Sequence, residues 1–178
     1  MLFRSLSSIG KDGSLRPNQV FAVALDFTML DDLKKEKVVD VVHSELLAPF
    51  GLRTLAKSDP RYVGAYAGDR RSRDGAYHNG TAWPWLLGPF TTAFLKVKGN
   101  SEFRRDFEMK YFLSPLFSRV VSGASLGMLS EIFDGDPPHV PKGCIAQAWS
   151  VAEPLRAYVE DVMQVRPEHE REVLQKSG

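Results

Sequence analysis

The sequence has one cysteine, almost no net charge and no long apolar run, and each of these features argues against a class of protein. Cys144 alone cannot form an internal disulfide, so no oxidising compartment is implied. A formal net charge of +1 over 178 residues removes the electrostatic argument for binding nucleic acid or an anionic membrane. No stretch approaches the ~18 consecutive apolar residues of a membrane span, and the N-terminal apolar segment is too short for a secretory signal. We therefore predict a cytoplasmic protein.

Strand signals are also scarce, whereas helical patterns recur along the chain. Five segments have such patterns: 17–30, 33–48, 84–98, 102–121 and 144–162. The first, third and fifth are apolar on most sides, as buried helices are, and the second and fourth carry one apolar stripe. We therefore predict a single all-α domain over residues 1–178, with alternating inner and outer helices and a polar tail at 163–178.

Two long loops, 49–81 and 122–143, interrupt the helices at equivalent points. Each leads from an outer helix to the next inner helix, so both are expected at the same end of the molecule. The alternation predicts part of an (α/α)6 barrel with its working loops on one face, and a plain helical bundle is the alternative. Five helices cannot close such a ring, so we expect apolar flanks that are exposed or covered by a partner.

The first loop ends in “YHNGTAWPWLLGPF”, which concentrates aromatic and polar side chains ahead of an apolar helix. Flat aromatic faces with a polar edge, as in Tyr77 and Trp83, are suited to stacking on sugar rings. His78 offers hydrogen bonds to hydroxyl groups, and Gly80 would let the backbone approach a ligand closely. We predict a sugar-binding cleft here, although packing in the core explains Trp85 equally well.

The second loop, “LSEIFDGDPPHVPKGC”, supplies carboxyl groups of the kind that a glycosidase uses in pairs. Glu131 lies among apolar residues that would hold it in place, whereas Asp134 and Asp136 are equally well explained as turn or cap residues. A metal site that includes His139 is a weaker interpretation, because the spacing is not that of a calcium loop and the prolines restrict convergence. Packing is a simpler explanation of Cys144 than nucleophilic catalysis.

A third polar cluster, “LRPNQ”, precedes the first inner helix. Its side chains, Arg16, Asn18 and Gln19, need partners if they are buried. They would either cap the helix or face the same cleft as the two loops, since all three segments precede an inner helix.

Four stretches together resemble the C-terminal part of the glycogen debranching enzymes, the family with amylo-α-1,6-glucosidase activity. They are “RPNQ”, “ELLAPFGLRTLAKSDPRYVGAYAGD”, “YHNGTAWPWLLGPF” and “LSEIFDGDPPHVPKGCIAQAWSVAE”, in the family's order and spread over almost the whole chain. The resemblance implies a six-hairpin α/α barrel that hydrolyses the α-1,6-linked glucose at glycogen branch points. It also implies water as acceptor, an α-glucan as partner, and no cofactor or metal.

The resemblance also implies roles for individual residues. Glu131, in “SEIFDG”, matches the general base of related barrels, with Asp134 as its rival. Four residues match the family's “YHxGTxWPW” motif and are expected at the sugar subsite: Tyr77, His78, Gly80 and Trp83. The predicted substrate-binding set also includes Trp85, Arg16, Asn18, Gln19, Asp134, Gln147 and Trp149.

Two features depart from that family pattern. Pro154 falls inside the last inner helix, where a proline costs ~3 kcal/mol or forces a kink. The general acid of such barrels comes from a helix hairpin well upstream of “RPNQ”, which this sequence lacks. We therefore expect the chain to be the C-terminal part of a larger barrel, with the upstream part as its partner and little activity alone.

Three alternatives remain at this point. The chain could be a helical module that binds glucan or a protein without chemistry, or a truncated product with no independent role. A related α/α-barrel glycosidase acting on trehalose or on α-1,4-glucan is the nearest alternative among enzymes.

Overall fold

A computed structural model describes the backbone of residues 5–7, 10–122 and 127–166. Most of this part of the chain is helical. The helices are α1 (Phe21–Ala24), α2 (Asp32–Glu45), α3 (Arg70–Tyr77), α4 (Leu87–Lys98), α5 (Glu102–Glu108), α6 (Ser114–Ser122) and α7 (Ala148–Ala157). Short 3-10 turns, Pro17–Val20 and Pro84–Leu86, lead into α1 and α4. π-helical turns, Met109–Leu113 and Tyr158–Val162, follow α5 and α7.

Each predicted helical segment contains a helix, and several begin at a side-chain cap. The Ser101 side chain accepts a hydrogen bond from the Arg104 N–H. This confirms the prediction that Ser101 is the N-cap of the fourth helical segment. Asp31 and Asp69 cap α2 and α3 in the same way. The first segment is shorter than predicted, because the helix ends at Ala24 and residue 25 is extended. Pro154 lies inside α7, as predicted.

The all-α prediction is wrong in one respect, because the loops carry a small antiparallel sheet. Its strands, in sheet order, are β3 (Leu47–Ala48), β4 (Gly51–Arg53), β5 (Ala82–Trp83), β6 (Ile132–Phe133) and β7 (Pro141–Lys142). A separate hairpin pairs β1 (Ser5–Ser7) with β2 (Gly10–Asp12). Each strand has only two or three residues. That is too short to show the alternation of apolar and polar residues from which a strand is predicted.

The sheet joins the two long loops to each other. Leu52 of β4 pairs with Trp83 of β5, and Ala82 pairs with Phe133 of β6. Leu52, Ala82 and Phe133 are buried, so the pairing also adds to the core. The two loops therefore meet at one end of the helices, as predicted.

Helix α4 lies at the centre of the described part of the fold. It contacts α1 and α7 on its flanks, and α2 and α5 also pack against it. Its buried face includes Leu87, Phe90 and Phe94, and Phe90 and Phe94 contact Phe112, which follows α5. Helices α1 and α7, both predicted as inner helices, bury fewer residues than α4, so the alternation of inner and outer helices stays a prediction.

Apolar side chains remain exposed where α1 runs into the next loop. Phe27 is 99% exposed and Met29 is 89% exposed. A groove of about 660 Å³ runs between α1, α4 and α7. None of the helices in the described residues is long and apolar enough to cross a bilayer. Most of the predicted polar tail, residues 167–178, lies outside the described residues.

Candidate functional site

Glu131 lies where the two long loops meet, and each of its carboxylate oxygens accepts a hydrogen bond. The Tyr77 hydroxyl, at the end of α3, donates to Oε1 at 2.5 Å. The backbone N–H of Cys144, just before α7, donates to Oε2 at 3.1 Å. Burial and the neighbouring Glu131 carboxylate both raise the pKa of Tyr77, so its hydroxyl keeps the proton that it donates.

Aromatic side chains form a continuous cluster beside this carboxylate. The Tyr77 ring contacts those of His78 and Trp83 at 4.7 and 4.9 Å between centroids. Trp149 contacts Trp83 at 6.1 Å and stacks on Trp85 at 5.6 Å. We call Tyr77, His78, Trp83, Trp85 and Trp149 the aromatic cluster; it includes all three tryptophans of the chain.

The members of the aromatic cluster differ in accessibility. Trp83 is 5% exposed, and its indole N–H donates to the Thr81 hydroxyl and the Tyr77 carbonyl. Trp149 is 45% exposed, and His78 is also exposed. Trp83 therefore acts as an internal support, while Trp149 offers the accessible indole surface on which a ring could stack.

Arg16 holds the loop that carries His78. Its guanidinium donates to the carbonyl oxygens of His78 and Thr54 and to Oδ1 of Asn79. These hydrogen bonds use most of the Arg16 donors, and they join two parts of the first long loop, around Thr54 and around His78. Gln19 donates to the Arg16 carbonyl, and Asn18 is exposed.

Gly80 lies in contact with backbone from two other loop segments. A Cβ atom at Gly80 would collide with the Val63 carbonyl, and one at Gly135 would collide with the Gly80 carbonyl. The Val63 N–H donates to the Asn79 carbonyl beside this contact. The close approach that glycine allows is therefore made here between loops of the protein itself.

Asp134 and Asp136 are both engaged with the first loop. Asp134 is buried, and its carboxylate accepts the Tyr66 N–H at 2.7 Å. Asp136 accepts the Tyr62 hydroxyl at 3.0 Å and forms an ion pair with Lys57 at 2.8 Å. The hydrogen bond from Lys57 lowers the pKa of Asp136. Both aspartates thus join the second loop to the first through contacts that are distant in sequence.

The remaining predicted residues lie at the start of α7 and beside the groove. The Gln147 side chain caps α7 by accepting a hydrogen bond from the Ala148 N–H. The backbone N–H of Gln147 donates to the Leu129 carbonyl. Trp85 and Trp149 line one end of the groove. Further along, Arg156 forms ion pairs with Glu153, Glu160 and Asp161. The described residues contain no group of three or more side chains arranged to hold a metal ion.

Sequence reasoning missed two contributors to the Glu131 site. Gly143 has a φ of +69°, and a Cβ atom there would lie 2.5 Å from Oε2 of Glu131. The Cys144 contact is made by the backbone, so no side-chain pattern could have indicated it. The glycine directly before Cys144 was the available signal, because glycine permits both this φ and this close approach.

Comparison with known proteins finds both a family model and a curated relative that resemble the chain. A family model described as amylo-alpha-1,6-glucosidase matches residues 3–156 of the chain. The glycogen debranching enzyme of Saccharomyces cerevisiae is 33% identical over 102 residues, which make up 52% of this chain. The matched region is only 7% of the length of the yeast protein.

Proposed function

Because this chain belongs to the amylo-alpha-1,6-glucosidase family, we propose that it forms the part of a debranching glucosidase that contributes the general base. In this proposal Glu131 accepts a proton from the water that attacks an α-1,6-linked glucose at a branch point. The exposed members of the aromatic cluster, His78 and Trp149, bind the sugar next to the scissile bond. The observation that carries the proposal is the Glu131 carboxylate, hydrogen-bonded at both oxygens and adjoining the aromatic cluster.

The free lone pairs of Glu131 support the role of base. A carboxylate has about four lone-pair sites, and the contacts to Tyr77 and Cys144 occupy two of them. The other two remain for a water molecule. Asp134 is a poorer candidate, because it is buried, whereas Glu131 is partly exposed and can be reached by water.

The sugar would enter along the surface formed by Trp149 and the end of the groove. Trp149 is the most exposed indole of the aromatic cluster, and it stacks on Trp85 at the rim. The groove is of the size usual for small-ligand sites, about 300–1,000 Å³. In this proposal Arg16, Trp83 and Gly80 hold the loops of the site in place through the contacts described above.

The second carboxyl group of the pair would come from outside these residues. The matched region is 7% of the yeast relative, so most of such a protein has no counterpart here. We propose that α1, α4 and α7 are inner helices of an α/α barrel that another polypeptide segment completes. That segment would supply the general acid and cover Phe27 and Met29, which are exposed in this structure.

The test is glucose release from a maltooligosaccharide that carries one α-1,6-linked glucose. The purified chain is assayed alone and mixed with yeast debranching enzyme truncated before its matching region. We expect release in the mixture, and its loss in the Glu131→Gln mixture. Glu102→Gln, an exposed carboxylate on α5, is the matched control and should behave like the parent.

Two results would change the proposal. If the chain alone releases glucose and Glu131→Gln abolishes that release, Glu131 remains the general base. The proposal that the general acid comes from another segment would then be refuted. Saturable glucan binding with no release in any mixture would favour the second candidate function, a non-catalytic glucan-binding module. The exposed indole of Trp149 is the observation that favours that candidate. The cytoplasmic location stays a prediction.

A further inference from the structure

The Tyr77 hydroxyl is committed to Glu131 in a way that changes its predicted role. A phenol has one hydrogen to donate, and that of Tyr77 is donated to Oε1 of Glu131 at 2.5 Å. We infer that Tyr77 is a positioning residue for the Glu131 carboxylate, and that its hydroxyl is not a donor to the sugar. This inference rests on the proposed function, in which Glu131 is the general base.

The Tyr77 ring is held by contacts that leave it little freedom to turn away. Tyr66, His78 and Trp83 lie 5.9, 4.7 and 4.9 Å from it between ring centroids. The Tyr77 carbonyl accepts hydrogen bonds from the Thr81 hydroxyl and the Trp83 indole N–H. Because ring and backbone are both fixed, the hydroxyl is presented to Glu131 in a single position.

The second contact to the carboxylate comes from a different loop. The Cys144 N–H donates to Oε2, and Gly143 leaves the space that this approach needs. The last torsion of a glutamate side chain is otherwise broad and weakly restrained. Two donors from two sides remove that freedom, since a rotation would break both hydrogen bonds. The carboxylate then presents its remaining lone pairs in a fixed direction, which is what a general base requires.

The Tyr77 contact has a direct spectroscopic test in the chain as it is. The protein is labelled with ¹³C at the glutamate side-chain carboxyl carbons, and the Glu131 resonance is assigned by its loss in Glu131→Gln. We expect Tyr77→Phe to shift that resonance clearly. Tyr66→Phe is the matched control, because it removes a hydroxyl from the adjacent ring and should shift the resonance far less.

Glucan affinity separates positioning from sugar binding. Tyr77→Phe keeps the aromatic ring, so a positioning role predicts less than a twofold change in the dissociation constant. A hydroxyl that bonds the sugar would instead weaken binding roughly 2- to 10-fold on removal. In the glucose-release assay, we expect Tyr77→Phe to lower kcat by about 10- to 100-fold with KM nearly unchanged.

The outcomes distinguish this inference from the proposed function. An unchanged Glu131 resonance in Tyr77→Phe would overturn the inference, whatever the chain binds. Weaker glucan binding together with an unchanged resonance would return Tyr77 to the role of sugar ligand. A parent chain that binds no glucan would refute the proposed function, while the resonance would still decide whether Tyr77 holds Glu131.

Discussion

Glu131 is half-buried between two loops and accepts a hydrogen bond at each carboxylate oxygen, whereas Glu108 is completely buried at the end of α5. Neither oxygen of Glu108 has a hydrogen-bond partner among the described residues. The Thr91 hydroxyl, on the facing helix α4, likewise has none there. Burial raises the pKa of Glu108 to about 9, and the nearby charge of Asp161 acts in the same direction.

The difference between Glu131 and Glu108 shows that the surroundings of a glutamate side chain decide what it can do. In the proposed mechanism, donors placed at both oxygens fix the direction of the Glu131 carboxylate and leave lone pairs for a water molecule. Burial, which outweighs the opposing effect of the Thr91 hydroxyl, keeps Glu108 protonated near neutral pH, since a buried unpaired charge is costly. Burial alone therefore does not make a carboxyl group a candidate for the general base.

The largest expected effect separates the two glutamates by activity. Glu131→Gln should lower glucose release in the completed enzyme by about 10²–10⁴-fold, because the general base is lost. Glu108→Gln should leave release within twofold of the parent. Kinetics with the branched maltooligosaccharide measure both, and equal losses in the two variants would contradict the distinction.

The next effect concerns stability and pH, and it belongs to Glu108. Between its ordinary pKa of 4.5 and its folded value of about 9, the folded state holds a proton that the unfolded state has released. The free energy of unfolding should therefore fall as pH rises, by about 1.4 kcal/mol per pH unit from this group. Glu108→Gln should lack this contribution and be the more stable protein at pH 8.

Urea unfolding at several pH values between 5 and 8 measures this contribution. Glu102→Gln is the control, since it removes an exposed carboxylate from the same helix. If the stability difference between the parent and Glu108→Gln is the same at every pH, the account of Glu108 is wrong.

A smaller effect is expected at Gly143, beside Glu131. Alanine there would adopt an unfavourable φ of +69° and place its Cβ atom 2.5 Å from Oε2, so we expect a loss of about 1–2 kcal/mol in stability. Gly99→Ala is the matched control, with a φ of +92° and no described atom within 4 Å of the added Cβ. Both variants should lose stability, but only Gly143→Ala should shift the Glu131 carboxyl resonance. An equal shift in both would refute the contact.

The smallest expected effect is that of removing the N-cap of α5. It separates the contribution of this cap to the free energy of unfolding from the pH-dependent contribution of Glu108. Ser101→Ala removes the cap of α5 and should cost about 1 kcal/mol at every pH. Its curve of stability against pH should therefore run parallel to that of the parent. A changed slope would mean that fraying of α5 alters the environment of Glu108.

The sequence was informative about helices and about where the loops meet. Apolar periodicity located the helices around 33–48 and 84–98, and Ser101 was identified as a cap from residue type alone. We also predicted that loops 49–81 and 122–143 lie at the same end of the helices, and in the structure Tyr77 of the first loop contacts Glu131 of the second.

Other features had no readable signal. Helix α3 is polar and buries only Ala76, so its sequence resembles a loop. The Cys144 N–H is a backbone group, and its position depends on how the two loops pack. Glu108 lies in an amphipathic segment in which glutamates normally face solvent, so its burial depends on contacts with α4 and on the packing around the turn after α7. Such tertiary contacts are not encoded in a local pattern.

The most direct test of the central claim is a titration of the purified chain with the branched maltooligosaccharide, followed by tryptophan fluorescence. All three tryptophans lie in the aromatic cluster, so the signal reports on the proposed site alone. We predict a saturable change in the parent, preserved in Glu131→Gln and strongly weakened in Trp149→Ala. A parent signal that does not respond to the glucan, or a response that Trp149→Ala leaves intact, would contradict the account.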